Sequence, residues 1–205
     1  KDASMGRPFS KRHMVGHEKG GQALLNPYQS LDDETRVAID PEELRAKFEA
    51  ESAFYFVSAA KLRESTEKIL PVMQELRGRD GWLERREMTW EEACAGSYSG
   101  RYLAVSHRWE TPESPDTKGV QLREVKRYLE ANPAVEWVWF DYWCMPQKQP
   151  RQERSLEERL EFKAMMGRIN TLYLGASVLI LLDLSYMSRF WTQFESWLAM
   201  QSAMP

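Results

Sequence analysis

From residue 100 onward, three short apolar runs alternate with longer charged stretches of helical pattern, and no other feature restricts the fold of this chain so strongly. The runs are RYLAVS (101–106), VEWVWFD (135–141) and SVLILLD (177–183). Strands separated by helix-length segments build a parallel sheet with crossover helices. Strands this uniformly apolar are expected to be covered on both faces. The intervening helices are read near 119–131 and from about 155 to 173, and the third run leads through LSYMS into a last helix. The sequence therefore predicts an α/β domain over 98–205.

The preceding segments read differently. Residues 1–30, rich in Gly, Lys, His and Ser without periodicity, predict a flexible arm. His13 and His17 have the spacing of a helical metal site, but Gly16 and the Gly20-Gly21 pair oppose a helix there, so no metal is assigned. Residues 31–97 predict a helical portion. Asp40 is placed to cap a helix beginning at Pro41. A second helical run covers 58–77, with a break at Pro71 and an end at Gly78 and Gly81. Thr89 and Glu92 form a capping box for WEEACA, which Gly96 can close.

Composition excludes several function classes. With 28 basic and 31 acidic side chains the net charge is −3, which argues against a dedicated nucleic-acid binder or attachment to an anionic membrane. Cys94 and Cys144 fit no metal or redox spacing and predict free thiols in a reducing, cytoplasmic setting. The longest apolar run, GASVLILLDL, has about half the length that crosses a bilayer.

Ligands of open parallel sheets bind beyond the carboxyl ends of the strands, and the unusual residues of this chain sit there. Ser106, His107, Arg108 and Trp109 follow the first run. Asp141, Tyr142, Trp143, Cys144 and Gln147 follow the second, and Asp183 and Ser188 the third. A crevice of aromatics, one arginine and hydrogen-bonding groups suits a nucleotide or another flat, polar ligand; the alternative is that these rings are core residues closing the top of the sheet. On the last helix, Phe190, Trp191, Phe194, Trp197 and Leu198 make an apolar stripe expected to pack on the sheet. Glu195 lies roughly 100° from its centre, at the boundary of core and water. There it is either a rim carboxylate reaching solvent or a desolvated acid beside Trp191, with its proton affinity raised unless a cation such as Arg108 answers it.

Three segments together resemble the fungal heterokaryon-incompatibility (HET) domain family, itself related to Toll/interleukin-1 receptor (TIR) domains. YLAVSHRW (102–109) resembles the family's first motif, WFDYWCMPQ (139–147) its Trp-Ile-Asp, Cys, Gln motif through Trp139, Asp141, Cys144 and Gln147, and RFWTQFE (189–195) its Arg-x-Trp-Thr-x-x-Glu motif. Ser188, Trp191 and Glu195 also match the Ser-x-x-Trp-x-x-x-Glu arrangement of TIR domains. The resemblance covers about half the chain. It implies a flavodoxin-like α/β fold used in immune or cell-death signalling, with Glu195 as the carboxylate that cleaves the nicotinamide–ribose bond of NAD. Trp191, Trp109 or Trp143 would stack on the base and Arg108 would meet the pyrophosphate, while Ser106, Asp141, Cys144 and Ser188 complete the implied substrate site; NAD is substrate, and no bound cofactor is implied. Glu110 where the family has Gly, and Met145-Pro146 where it has Ile-Asn, depart from the pattern. The rival reading is an interaction module of the same fold that self-associates or binds another protein without turnover, and a third is a sensor that binds a nucleotide without cleaving it.

Overall fold

Residues 52–148, 153–183 and 186–202 are described by the computed structural model of the chain, together with Asp40, Glu42, Glu43 and Ala46. The expected arm and its pair His13 and His17 lie outside the described residues. Asp40 accepts the N–H of Glu42 at 2.9 Å, as a capping carboxylate does.

Among the described residues, β1 (Ala53–Ser58), β2 (Leu83–Glu87), β3 (Tyr102–Ser106), β4 (Trp137–Trp139) and β5 (Ser177–Ile180) form one open sheet in the order β2-β1-β4-β3-β5. β3, β4 and β5 lie inside the three apolar runs and pair in parallel, with Ala104 opposite Trp139 on one side and Val178 on the other. The parallel sheet expected over 98–205 is one part of a mixed sheet, because β1 pairs antiparallel with both β2 and β4. The expectation of a purely helical 31–97 needs correction, because that portion supplies both antiparallel strands. AFYFVS in β1 is a short apolar run that fits a buried helix turn as well as a strand. LERRE in β2 has no strand-like pattern and becomes a strand only because β1 offers it a ladder.

Among the described residues from 52 onward, the α-helices are α1 (Ala59–Glu64), α2 (Met73–Arg77), α3 (Trp90–Cys94), α4 (Val120–Ala131), α5 (Asp141–Cys144), α6 (Leu156–Gly167), α7 (Ile169–Gly175) and α8 (Phe190–Ser202). The run 58–77 is broken around Pro71 into α1 and α2, and 155–173 is split at Arg168 into α6 and α7. Ser155 and Glu158 form a full capping box at α6. At α3 the Thr89 hydroxyl accepts the Glu92 N–H at 3.2 Å, but the reciprocal half of the expected box goes elsewhere: the Thr89 N–H donates to the Tyr98 hydroxyl at 3.0 Å. Gly96 closes α3 at φ +71°.

The crossover through α4 runs from β3 to one neighbour, and that through α6 and α7 returns past β3 to the other. Right-handed crossovers in opposite directions put these helices on opposite faces of the sheet. Accordingly α4 packs on α1, and α7 on α3 and α8. Arg63 of α1 donates to the carbonyls of Leu129, Asn132 and Val135 at the end of α4, where unpaired helix carbonyls concentrate negative charge. Gly119 opens α4 at φ +69°, and a Cβ there would lie 2.1 Å from the Lys68 carbonyl oxygen, so a side chain is excluded. Among the described residues no helix is long and apolar enough to cross a membrane.

The stripe on the last helix packs only in part as its pattern predicts: Leu198 is buried and Phe194 half-buried, but Phe190, Trp191 and Trp197 are 72%, 56% and 52% exposed, and Thr192, outside the stripe, is buried. The helix is turned so that Thr192, Glu195 and Ser196 face inward, for a reason that lies in the hydrogen bonds described next.

Candidate functional site

β3 is buried along its whole length, which carries Ser106 at its carboxyl end into a place without solvent. A buried hydroxyl needs partners. The Ser106 hydroxyl donates to Glu195 Oε2 and lies 2.5 Å from the hydroxyl of Tyr186. Tyr186, itself buried, donates to the Thr192 carbonyl at 3.1 Å and lies 2.8 Å from the Ser196 hydroxyl. Thr192 returns a hydrogen bond to the Tyr186 carbonyl. This closed set of polar contacts rotates α8 against its apolar pattern, since each buried hydroxyl left unmatched would cost about 1–3 kcal/mol.

Glu195 is thereby held in the wall of a cavity of about 330 Å³. The cavity lies between the tips of β3 and β4, α6 and α7, and α8, with His107, Trp109, Asp141, Tyr173, Trp191 and Phe162 among its lining. Burial pushes the Glu195 carboxyl up to about 7, against the opposing pull of the hydrogen bonds from Ser106 and Tyr173; the nearby charge of Asp141 raises it further. Tyr173 is raised well above the usual phenol range, first by burial and then by the Glu195 charge. The result is an acid that changes charge near neutrality beside a hollow with aromatic walls.

Asp141 organises the opposite wall. Its Oδ1 lies 2.9 Å from His107 Nε2 and its Oδ2 accepts the Trp109 indole N–H at 2.7 Å. The His107 ring stacks on Phe140, with centroids 3.8 Å apart, and Phe140 in turn stacks on Trp143. Gln147 reaches back to the Asp141 and Met145 carbonyls, both at 2.9 Å, and so closes the loop after β4. Arg154 and Arg189 bring positive charge to the lining. Arg154 stands 3.7 Å over the Phe162 ring.

The expected residues therefore divide. Glu195, Trp109, Asp141 and Trp191 share the cavity. Ser106 is behind the wall, fully buried and bonded to Glu195, so it positions the carboxylate rather than meeting a ligand. Trp143 and Cys144 are core residues: Trp143 is 2% exposed, and the fully buried Cys144 thiol is pushed up to about 12 by desolvation while it donates toward the Val138 carbonyl. Ser188 is exposed in the turn before α8 and does not line the cavity. Arg108 is not in the lining of the cavity and pairs with Asp183 at 2.6 Å.

Arg108 instead lines a larger hollow, about 670 Å³, between α4 and β5. Its carboxylates are already answered: Asp183 by Arg108, Glu110 by Thr117 and Glu124 by Arg123. The greater volume thus has no desolvated acid in its wall, whereas Glu195 is one, and the smaller cavity is the candidate site. Sequence reasoning missed Tyr173, which hydrogen-bonds Glu195, and Tyr186, which contacts the Ser106 that supports it. Tyr173 falls in a helical run with no distinguishing neighbour, and the only signal for Tyr186 was its place in the short LSYMS connection.

Compared with known proteins, the chain matches no family model, no curated protein and no solved structure.

Proposed function

We propose that this chain is a HET/TIR-like signalling domain, cytoplasmic and of immune or cell-death type, that binds NAD and hydrolyses its nicotinamide–ribose bond. The observation that carries this reading is Glu195, a largely enclosed carboxylate on the wall of an aromatic-lined cavity, held by Ser106 and Tyr173. The strand order supports the flavodoxin-like part of the reading: the first of the three parallel strands, β3, lies between the second and the third.

The chemistry suits one acid. Nicotinamide leaves the cationic nicotinamide riboside as a neutral molecule, taking the electron pair of the C–N bond, so no general acid is needed for departure. A carboxylate anion beside the ribose stabilises the positive charge that develops at the anomeric carbon. Water then adds to that carbon and passes its proton to Glu195, whose pKa near 7 makes it a competent base at neutral pH. Trp109 and Trp191 offer faces for the nicotinamide ring, and Arg154 or Arg189 an answer to the pyrophosphate. Arg108, ion-paired with Asp183, does not serve that purpose here.

Because the anion is the working form, kcat/KM is expected to rise as pH increases through about 7. Glu195→Gln is expected to lower nicotinamide release on the order of 10²–10³-fold. Unchanged release by that variant would overturn the site. A second reading, a non-catalytic module that binds a protein partner, is favoured by the bare aromatic surface of α8; folded, assembled protein that neither cleaves nor binds NAD would support it.

A further inference from the structure

The two edges of the sheet are built in opposite ways. β2, at one edge, reads LERRE and carries charges at Glu84, Arg85, Arg86 and Glu87, the usual protection against pairing with another chain. β5, at the other edge, reads SVLI and is followed by Leu181, Leu182 and Asp183, with no charge before Asp183. Among the described residues its outer side has no strand beside it. Leu181 donates its N–H inward to Ser106, so the backbone groups of Val178 and Ile180 point outward, as those of Leu182 do once a partner extends the strand.

We propose that this edge pairs with the same edge of a second copy of the chain, antiparallel and centred on Ile180. That register is self-complementary. Ile180 meets Ile180 of the other copy and Val178 meets Leu182, and all of these have outward N–H and C=O groups, so each opposed pair exchanges both its N–H···O bonds. Leu179 then faces Leu181, and Asp183 falls opposite Ser177, so no like charges meet. A two-fold axis normal to the sheet also brings both copies of α8, which packs beside β5, onto the same face. Ile180, Leu182, Met187, Phe190, Trp197 and Met200 in this region are each 38–72% exposed. At about half of some 200 Å² apiece, they leave on the order of 600 Å² bare, close to the ~800 Å² per partner of a stable interface. The charged β2 edge stops the sheet from growing further, so the association closes at a dimer.

Sedimentation velocity of the purified chain, from micromolar to near-millimolar concentration, is expected to show a monomer passing to a dimer. Leu182→Lys, at a position 69% exposed and hence without a role in the core, is expected to weaken dimerisation by about 10-fold or more while leaving the circular dichroism unchanged. Ile180→Cys in a Cys94→Ser background is expected to form an intermolecular disulfide on mild oxidation, since opposed residues of such a ladder have Cα atoms about 5.5 Å apart; Glu84→Cys on the β2 edge is not. A chain that stays monomeric throughout, or a dimer indifferent to Leu182→Lys and not cross-linked through position 180, overturns the proposal. None of these readouts depends on NAD, so their outcome is separate from that of the proposed chemistry.

Discussion

Glu195 stands at odds with the stability of the chain that carries it. Its carboxyl ionises near 7 when folded and near 4.5 when free, because burial disfavours the charge. Below the lower value both states hold the proton and the site costs nothing. As pH rises between the two values, the unfolded chain loses its proton first and folding becomes less favourable, until above 7 the full cost of about 3 kcal/mol is reached. Glu195→Gln keeps the shape and an oxygen for the Ser106 hydroxyl but removes the charge. It is expected to be nearly neutral toward stability at pH 4.5 and to stabilise by up to about 3 kcal/mol at pH 8, measured by urea unfolding at both values. An equal effect at the two pH values would mean that the carboxyl is not desolvated. A residue that weakens its fold at working pH is one kept for another reason, and the proposed chemistry supplies one.

The element that shows most plainly how pattern and packing can part is α8. By apolar spacing its inner face should carry Phe190, Trp191, Phe194, Trp197 and Leu198, yet only Leu198 of these is buried and Phe194 half-buried, while Thr192, outside the stripe, is buried. Aromatic burial favours one rotation and the polar set Ser106, Tyr186, Thr192 and Ser196 favours another. The second is chosen because those buried groups have no water to turn to. Phe190→Ser and Trp197→Ser are therefore expected to change unfolding free energy by less than about 0.5 kcal/mol where the chain is monomeric, while Leu198→Ala costs about 2–4 kcal/mol. Denaturant titrations of the three variants decide it; a large loss for Trp197→Ser would restore the rotation that the periodicity suggested.

For the molecule as a whole, the sheet joins sequence on both sides of residue 97. β1 covers the edge of β4 through Val57 opposite Val138, and Phe54, Phe56 and Val57 belong to the same buried core as Leu103, Val105 and Trp139. A fragment of 98–205 exposes that edge and loses those side chains. It is expected to give a collapsed or aggregated species with poor amide dispersion by NMR, whereas 52–205 gives a dispersed spectrum. A well-dispersed 98–205 fragment would mean that the parallel strands suffice. The parallel half was legible because RYLAVS, VEWVWFD and SVLILLD repeat with helix-length spacing; β1 and β2 were not, since one is too short to separate from a helix turn and the other is mostly charge.

Local chemistry alone determined the three parallel strands, the caps at Ser155 and Thr89, the close of α3 at Gly96, and the gathering of Trp109 and Asp141 at one end of the sheet, because each depends on neighbours a few residues away or on the handedness of crossovers. The tertiary structure decided which way α8 turns, that Ser106 supports Glu195 from behind, that Arg108 is drawn to Asp183, and that Cys144 and Trp143 are core. Those outcomes turn on competition among distant groups for burial and for hydrogen-bond partners, and spacing along a chain carries no record of which competitor wins.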